Sequence, residues 1–334
     1  MTILSTDEAT RLAAAAFENA GASAPMAAST AMALVAAEID GQAGHGLSRV
    51  PSYAAQLRTG KANGRAEPVM TRPKPATLRI DVGHGFAYPA LDLAVETLPA
   101  LAMEFGIAAA GLFNSHHIGQ AGRAAERLAE QGLVALVLSN TPPAMALPGG
   151  TRAMLGTDPV AFAAPMTGRE PLVIDLSLSQ VPRAKIVAAA KTGQAIPPGW
   201  ASDAAGNPTT DSQAALAGAL TPIGGAKGAV LAVMVEILCA SLAGGRFGWQ
   251  ATSFFEAEGA PPAIGQMIVA FAPIGFTGDG FAAGMRELAA AFAAEQGLRL
   301  PGDRRLERRV RAQSQGLEID DALAATLVGM ARAG

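Results

Sequence analysis

One cysteine, Cys239, in 334 residues leaves nothing from which to build a disulfide framework or a cysteine-rich zinc site. Histidine is nearly as scarce: His45, His84, His116 and His117 are too few and too unevenly spaced for a structural zinc finger, and no metal site is expected. An excess of positive charge is missing too. The 25 Lys and Arg stand against 28 Asp and Glu, a formal charge of −3, which argues against binding a nucleic-acid backbone. The N-terminus carries Asp7 and Glu8 where a secretory signal needs a basic patch. The most apolar stretch, residues 229–243, contains Glu236 and is short of the roughly 20 residues that span a bilayer. It reads as a buried helix. These absences predict a soluble, globular, cytoplasmic chain with no membrane partner and no nucleic-acid partner.

Familiar nucleotide and nucleophile motifs are missing as well. No Gly-x-Gly-x-x-Gly follows a strand; Gly44-His-Gly46 and Gly83-His-Gly85 supply only two of the glycines. No glycine loop ends in a Walker lysine with serine or threonine. No Gly-x-Ser-x-Gly elbow argues for an α/β-hydrolase. A nucleotide, if used, is held in another way.

What is present reads as α/β. Ser5-Thr-Asp-Glu8 matches a capping box, predicting a helix to about Asn19, and Pro25 suits the first turn of a second helix reaching about Ile39. Two helices at the start do not resemble a nucleotide-binding unit, which would open with a strand. Residues 77–82 alternate as a half-buried strand does, and residues 90–105 form a helix. Residues 106–113, 133–139, 160–164, 172–176 and 267–272 read as buried strands, with a helix near 122–130. At roughly 100–200 residues per domain, one large or two interleaved domains fit the length. Arginines crowd residues 303–311, which on a helix read as a solvated face, and the interleaved acids weaken any nucleic-acid reading.

Four constellations put chemically able residues among glycines. The first, Asp40-Gly-Gln-Ala-Gly-His45-Gly-Leu-Ser-Arg49 with Tyr53, follows the second helix; Arg49 could clamp a carboxylate in two-pronged fashion and His45 could deliver a proton. A helix end with a surface arginine is the plainer alternative. The second, Asn114-Ser-His116-His117-Ile-Gly119, stands at the C-terminal end of a buried strand, where ligands bind in open α/β sheets; a polar strand end would look the same. The third joins Leu155-Gly-Thr-Asp-Pro159 to Asp175-Leu-Ser177, turns able to bind an anion or simply to turn. The fourth, Pro222-Ile-Gly-Gly-Ala-Lys227-Gly228, opens a helix with an anion site or merely a flexible start.

Taken in order, these segments resemble the malate/L-lactate dehydrogenase family, which lacks a Rossmann fold. The likeness rests on His45-Gly with Arg49 and Tyr53, Ser115-His-His117-Ile-Gly119, Pro148-Gly-Gly150 with Leu155-Gly-Thr-Asp-Pro159, and Asp175-Leu-Ser-Leu-Ser179. It continues through Pro198-Gly-Trp-Ala-Ser-Asp203 with Pro208-Thr-Thr-Asp211, Gly224-Gly-Ala-Lys-Gly228 and Leu300-Pro-Gly-Asp-Arg304, covering nearly the whole chain.

The resemblance implies an α/β, non-Rossmann NAD(P)-binding fold with the cofactor domain inserted between helical N- and C-terminal parts. The divisions expected are 1–115, a helical substrate part; 116–295, the nicotinamide-cofactor domain; and 296–334, a C-terminal part returning to the first. It also implies a homodimer with the active site at the subunit boundary. Cofactor contacts carry over to His117, Ile118, Gly119, Gln120 and Ala121, to Thr141, and to Asp175, Leu176 and Ser177. Further contacts fall on Ala226 and Lys227, and on Pro301, Gly302, Asp303, Arg304 and Arg305. Substrate contacts carry over to Arg49, Thr157, Arg183 and Ala184, and the catalytic proton to His45 or His117.

His45 is preferred as the acid/base because Arg49 lies near it in sequence, leaving His117 to line the nicotinamide pocket. Arg304, Arg305 or Lys227 could meet an adenosine 2′-phosphate, a slight lean to NADP over NAD. Two departures matter. Gly44 replaces the serine that many relatives place before the histidine, and Lys185 stands where cyclic-imine reductases carry an aspartate. Lys185 points to the hydroxy-acid branch, whereas Asn114-Ser-His-His117, Phe247-Gly-Trp249 and Gly265-Gln-Met-Ile-Val269 resemble the imine-reductase branch. The activity expected is hydride transfer between nicotinamide and C2 of a small 2-oxo or 2-hydroxy carboxylate. Reduction of Δ1-piperideine-2-carboxylate or Δ1-pyrroline-2-carboxylate is the alternative, and a non-catalytic nucleotide-binding homologue the rival from another class.

Overall fold

In the computed structural model, which describes residues 1–298 and 300–333, the Ser5 hydroxyl accepts the Glu8 backbone N–H at 3.1 Å and α1 runs Thr6–Asn19. This is one half of the capping box the sequence predicts, the bond from the serine side. Pro25 stands in the first turn of α2, Ala24–Ile39. A strand nevertheless precedes both helices: β1, Thr2–Leu4, pairs antiparallel with β14, Leu317–Ile319. The chain therefore opens with a strand after all, but one that lies outside the main sheet.

Two tight 3-10 turns, Ala43–His45 and Leu47–Arg49, lead into α3 (Val50–Thr59), which begins on Pro51. Then come β2 (Val69–Lys74), β3 (Thr77–Asp81), α4 (Tyr88–Phe105), β4 (Ile107–Ser115), α5 (Ala121–Ala129) and β5 (Val134–Ser139). Short strands β6 (Met145–Ala146) and β7 (Ala153–Leu155) precede β8 (Val160–Ala164), β9 (Leu172–Leu176) and α6 (Arg183–Thr192). β10 (Ala201–Ser202), β11 (Pro208–Thr209), α7 (Ser212–Ala217) and β12 (Ala219–Leu220) follow, and α8 (Ala226–Glu236) continues as a π-helical stretch, Ile237–Leu242. The remainder is β13 (Ile264–Phe271), α9 (Gly280–Ala293), α10 (Asp303–Gln315), β14 and α11 (Asp321–Arg332).

Seven strands form the main sheet in the order β2-β3-β4-β13-β5-β8-β9. Only β3 and β4 are parallel neighbours; each other adjacent pair is antiparallel. Because β4 and β5 both oppose β13, they run the same way, and β9 joins them through β8. The C-terminal ends of β3, β4, β5 and β9 thus open at one edge of the sheet. Small residues let the layers approach: a Cβ on Gly111 of β4 would lie 3.2 Å from Ala243. A second sheet, β11-β10-β12-β6-β7, shares a core with α6 and the α8 region through Leu155, Ile186, Leu220 and Val235.

Two expectations need correction. Residues 229–243 are helical, but only one side is buried: Ala229, Ala232, Val235 and Cys239 face the core, while Val230 is 62% exposed and Leu231, Met234, Ile237 and Leu242 also face outward. Hydropathy alone does not separate a core face from an apolar surface. The arginine-rich helix α10 is not simply a solvated face either. Arg305 and Arg309 turn inward to Glu126 of α5 (2.8 and 2.7 Å), and Arg309 also grips Asp40 at the end of α2 (2.6 Å). A charge run along a helix does not reveal these partners, because they lie far away in sequence.

Burial pushes the Glu126 carboxyl up, but Arg309, Arg305 and Arg123 outweigh it and leave it below its ordinary range. Glu126→Ala should therefore leave Asp40 alone to face Arg305 and Arg309 and lower unfolding stability by about 3 kcal/mol. A urea midpoint unchanged from wild type would show the cluster to be energetically idle.

Candidate active site

The two sequence segments bearing histidine meet at the strand-end edge. His45, on the first 3-10 turn, and His117, just beyond β4, stack with ring centroids 5.1 Å apart and planes 25° from parallel. Asn114, ending the strand, takes a positive φ of 50° and donates to Asp81 at 2.9 Å, which steers the chain out of the sheet towards His116 and His117. Tyr53 of α3 reaches His117 Nδ1 with its hydroxyl at 2.6 Å, and Tyr88 at the start of α4 stands 3.4 Å behind it. His117 thus has an orienting partner on its rear nitrogen. His45 Nδ1 is buried without one.

Arg49 is the cation of this cluster. Its Nε donates to the Gly44 carbonyl at 2.6 Å, and its guanidinium carbon lies 4.6 Å from the centre of the Phe255 ring. That arrangement fixes the stem of the fork and leaves its planar head beside the histidines. Phe254 closes the other side, 4.9 Å from His117 and 5.4 Å from His116. His116 itself packs edge-on against Tyr53 and Phe86, and neither of its nitrogens has a partner.

The electrostatics follow from burial beside a fixed cation. Burial, then Arg49, lowers His45 to about 4. Burial, with Lys61 and Arg49, takes His116 down to about 3. His117 is pushed well below its usual value by burial, Arg49 and the neighbouring imidazoles. All three rings are neutral at pH 7. Burial holds the Tyr53 and Tyr88 hydroxyls protonated.

The remaining expected contacts form a belt along the same edge. Asp175, ending β9, accepts the Gly122 N–H at the start of α5 at 2.9 Å, so Ile118, Gly119, Gln120 and Ala121 lie beside Leu176 and Ser177. Thr157 N–H donates to the Thr141 hydroxyl at 2.8 Å, and Leu178 N–H donates to the Thr157 carbonyl at 2.7 Å. Ile223 N–H donates in turn to the Leu178 carbonyl at 2.8 Å, strapping the glycine turn before Ala226 and Lys227 to the belt. Gly302, beside the Val173 carbonyl, brings in Pro301 to Arg305. Within that segment Asp303 pairs with Arg169, Arg305 pairs with Glu126, and Arg304 is exposed. Arg183 donates to the Leu216 carbonyl at 3.2 Å, so its guanidinium is occupied on α7, and its neighbour Ala184 is exposed.

This donor set suits a dinucleotide. Asp175 is a hydroxyl acceptor beside the amides that open α5. Gly224 and Gly225 have φ of 62° and 64° with open space around them, and they lead into a helix N-terminus bearing Lys227, a phosphate site in kind. Gly119 is required where it stands, because a Cβ there would lie 2.6 Å from the Tyr88 hydroxyl oxygen.

Sequence reasoning passed over Tyr88, Phe86, Phe254 and Phe255. Adjacent phenylalanines in a polar loop were a usable signal in a chain with only 5% aromatics; Tyr88 and Phe86 gave none beyond hydrophobicity.

The stacked histidine pair beside Arg49, with the belt of amides and hydroxyls along the same strand-end edge, is the candidate active site. The chain belongs to the malate/L-lactate dehydrogenase family, matching it over residues 4–328. It is 48% identical over 321 residues to (2R)-3-sulfolactate dehydrogenase (NADP(+)) of Chromohalobacter salexigens, with 96% of each chain covered. It is 38% identical over 312 residues to the Δ1-pyrroline-2-carboxylate/Δ1-piperideine-2-carboxylate reductase of Pseudomonas putida, covering 92% of this chain and 90% of that one. The crystal structure of Δ1-piperideine-2-carboxylate reductase from Pseudomonas syringae superposes with a TM-score of 0.93 at 34% identity, covering 99% and 100% of the two chains. The non-Rossmann α/β reading and the family resemblance both hold.

Neutral buried histidines make the fold acid-sensitive. Below their ordinary value of 6.5, the unfolded chain takes up protons that the folded chain refuses, so stability falls as pH drops. Each such ring contributes a slope of up to about 1.4 kcal/mol per pH unit. Urea midpoints should decline from pH 7 to pH 5, and His116→Phe should flatten that decline. Flat midpoints in the wild-type protein would mean that the rings are already charged.

Proposed function

We propose that the chain catalyses reversible hydride transfer between a nicotinamide dinucleotide and C2 of a small 2-oxo or 2-hydroxy carboxylate. The stacked His45–His117 pair beside Arg49 carries this reading. Arg49 binds the substrate carboxylate with the free edge of its fork. Binding that anion cancels the charge that helps hold the rings neutral, so a proton becomes affordable on the pair only once substrate is seated. Two stacked imidazoles next to an arginine hold one proton at most. His45, the less buried ring, passes it to the developing alkoxide, while His117, fixed by Tyr53, lines the nicotinamide pocket. The nicotinamide supplies the hydride in the reductive direction and accepts it in the other.

NADP is the favoured cofactor, in keeping with the NADP of the Chromohalobacter sulfolactate dehydrogenase and with exposed Arg304 and Lys227 as cations for a 2′-phosphate. Reduction of a cyclic 2-imino carboxylate is the second reading; the aromatic surround of Tyr53, Phe86 and Phe254 favours a flat apolar ring. A homodimer with its site at the subunit boundary belongs to the same proposal, supported by the uncovered apolar side of α8. So does a cytoplasmic location, supported by the single buried thiol; no helix among the described residues is long and apolar enough to cross a membrane. The division into 1–115, 116–295 and 296–334 stands as a functional proposal, with the main sheet drawing strands from both of the first two parts.

Reduced-nicotinamide absorbance, followed with NADPH and NADH against pyruvate, oxaloacetate, 3-sulfopyruvate and the two cyclic imines, tests the reading directly. Turnover of none of these would return the chain to the non-catalytic class. His45→Ala should lower kcat by about 10²–10⁴ with cofactor binding retained; full activity would transfer the proton to His117. Arg49→Lys keeps the charge and loses the planar fork, so the substrate KM should rise while the cofactor KM stays put.

A further inference from the structure

The loop over residues 252–259 has no helix or strand of its own, yet five of its carbonyls are taken by three side chains from around the end of α3. Lys61, only 1% exposed, donates through Nζ to the carbonyls of Ser253 (2.7 Å), Glu256 (2.9 Å) and Glu258 (3.2 Å). Gln56, fully buried, donates to the Phe254 and Glu256 carbonyls at 3.0 and 2.9 Å. Thr59 donates to the Ala257 carbonyl at 2.7 Å. The neck is closed by Thr252, whose hydroxyl donates to the Ala260 carbonyl at 2.7 Å.

Three carbonyls converging on one ammonium is the geometry in which a loop wraps a cation, and here the cation is part of the chain. Backbone carbonyls removed from water require donors, and no strand or helix supplies them at this loop. The two residues so held are the ones that touch the site: Phe254 lies against His116 and His117, and Phe255 lies beneath Arg49. Phe255 is 52% exposed, so its own burial contributes little to holding it there. Burial disfavours the Lys61 charge, and nearby Glu256 acts in the opposite sense.

We propose that Lys61 is a positioning residue: its ammonium gathers the 253–258 loop and so sets Phe254 against the histidine pair and Phe255 under the carboxylate-binding arginine. The site's substrate geometry then depends on a charge that touches neither substrate nor cofactor. The kinetic half of this inference rests on the function proposed above; the structural half does not.

The test compares Lys61→Met, which keeps the aliphatic stem and deletes the donors, with Phe255→Ala, which removes a half-exposed ring and leaves the core intact. Hydrogen exchange without substrate should show faster exchange at residues 253–258 in Lys61→Met and unchanged exchange in the main sheet. With substrate, Lys61→Met should raise the substrate KM about tenfold while the cofactor KM stays within twofold. Phe255→Ala should raise the substrate KM in the same direction, and the double variant should be no worse than Lys61→Met alone, because both act through one loop. Unchanged exchange in the loop overturns the proposal whatever the enzyme turns over. A loosened loop with an unchanged substrate KM, or with substrate and cofactor KM rising together, also overturns it. Absence of turnover in the wild-type protein would sink the proposed function and leave the exchange result to decide the role of Lys61.

Discussion

β13 is the strand on which the site depends. It comes from the last quarter of the chain and slots between β4 and β5, opposing both along most of their length. Paired directly, β4 and β5 would form a parallel ladder. With β13 between them, every ladder at the centre is antiparallel while β4 and β5 still point the same way. Gln266 marks the join: its side-chain amide donates to the His116 carbonyl at 3.0 Å, beside Ser139 at the end of β5. Ligand chemistry at the carboxyl ends of strands is usually the property of parallel sheets. Here it is reached by a mostly antiparallel one.

The second constraint is electrostatic. Arg49 is nearly buried among three imidazoles, and it is held by a carbonyl and an aromatic face rather than by a carboxylate. A carboxylate partner from the protein would neutralise the arginine permanently. Among the described residues no carboxylate pairs with Arg49, and its uncompensated charge helps to hold the three rings neutral. Acids are close by but are otherwise engaged: Asp40 and Glu126 are bound to Arg309, and Asp175 to the first amides of α5.

Much of this was legible before any coordinates. The Ser5 cap, the second helix on Pro25 and strands β3, β4, β5, β8 and β9 were readable because period and capping chemistry are local. So was the pairing of His45 with Arg49, since the two are four residues apart. The stacking of His45 on His117 was not, because it depends on where β4 delivers its end. Nor was the role of Lys61, a lone lysine after Gly60 whose partners lie some two hundred residues away. α10 shows the same limit from the other side: its arginines were plain, but which of them face Asp40 and Glu126 is decided by packing. Local signals name the groups, and long-range contacts assign them partners.

Arg309 carries a consequence for how the molecule is made. Asp40 ends the helix from which the His45 and Arg49 turns depart, and Gln120, on the segment after His117, donates to the same carboxylate at 2.6 Å. Both halves of the site are therefore fastened to a residue translated some 270 positions after the first. β1 likewise waits for β14. A ribosome-bound nascent chain that has not yet made α10 lacks the arginine that joins these two segments, so this fastening belongs to the last contacts formed, those of high sequence separation.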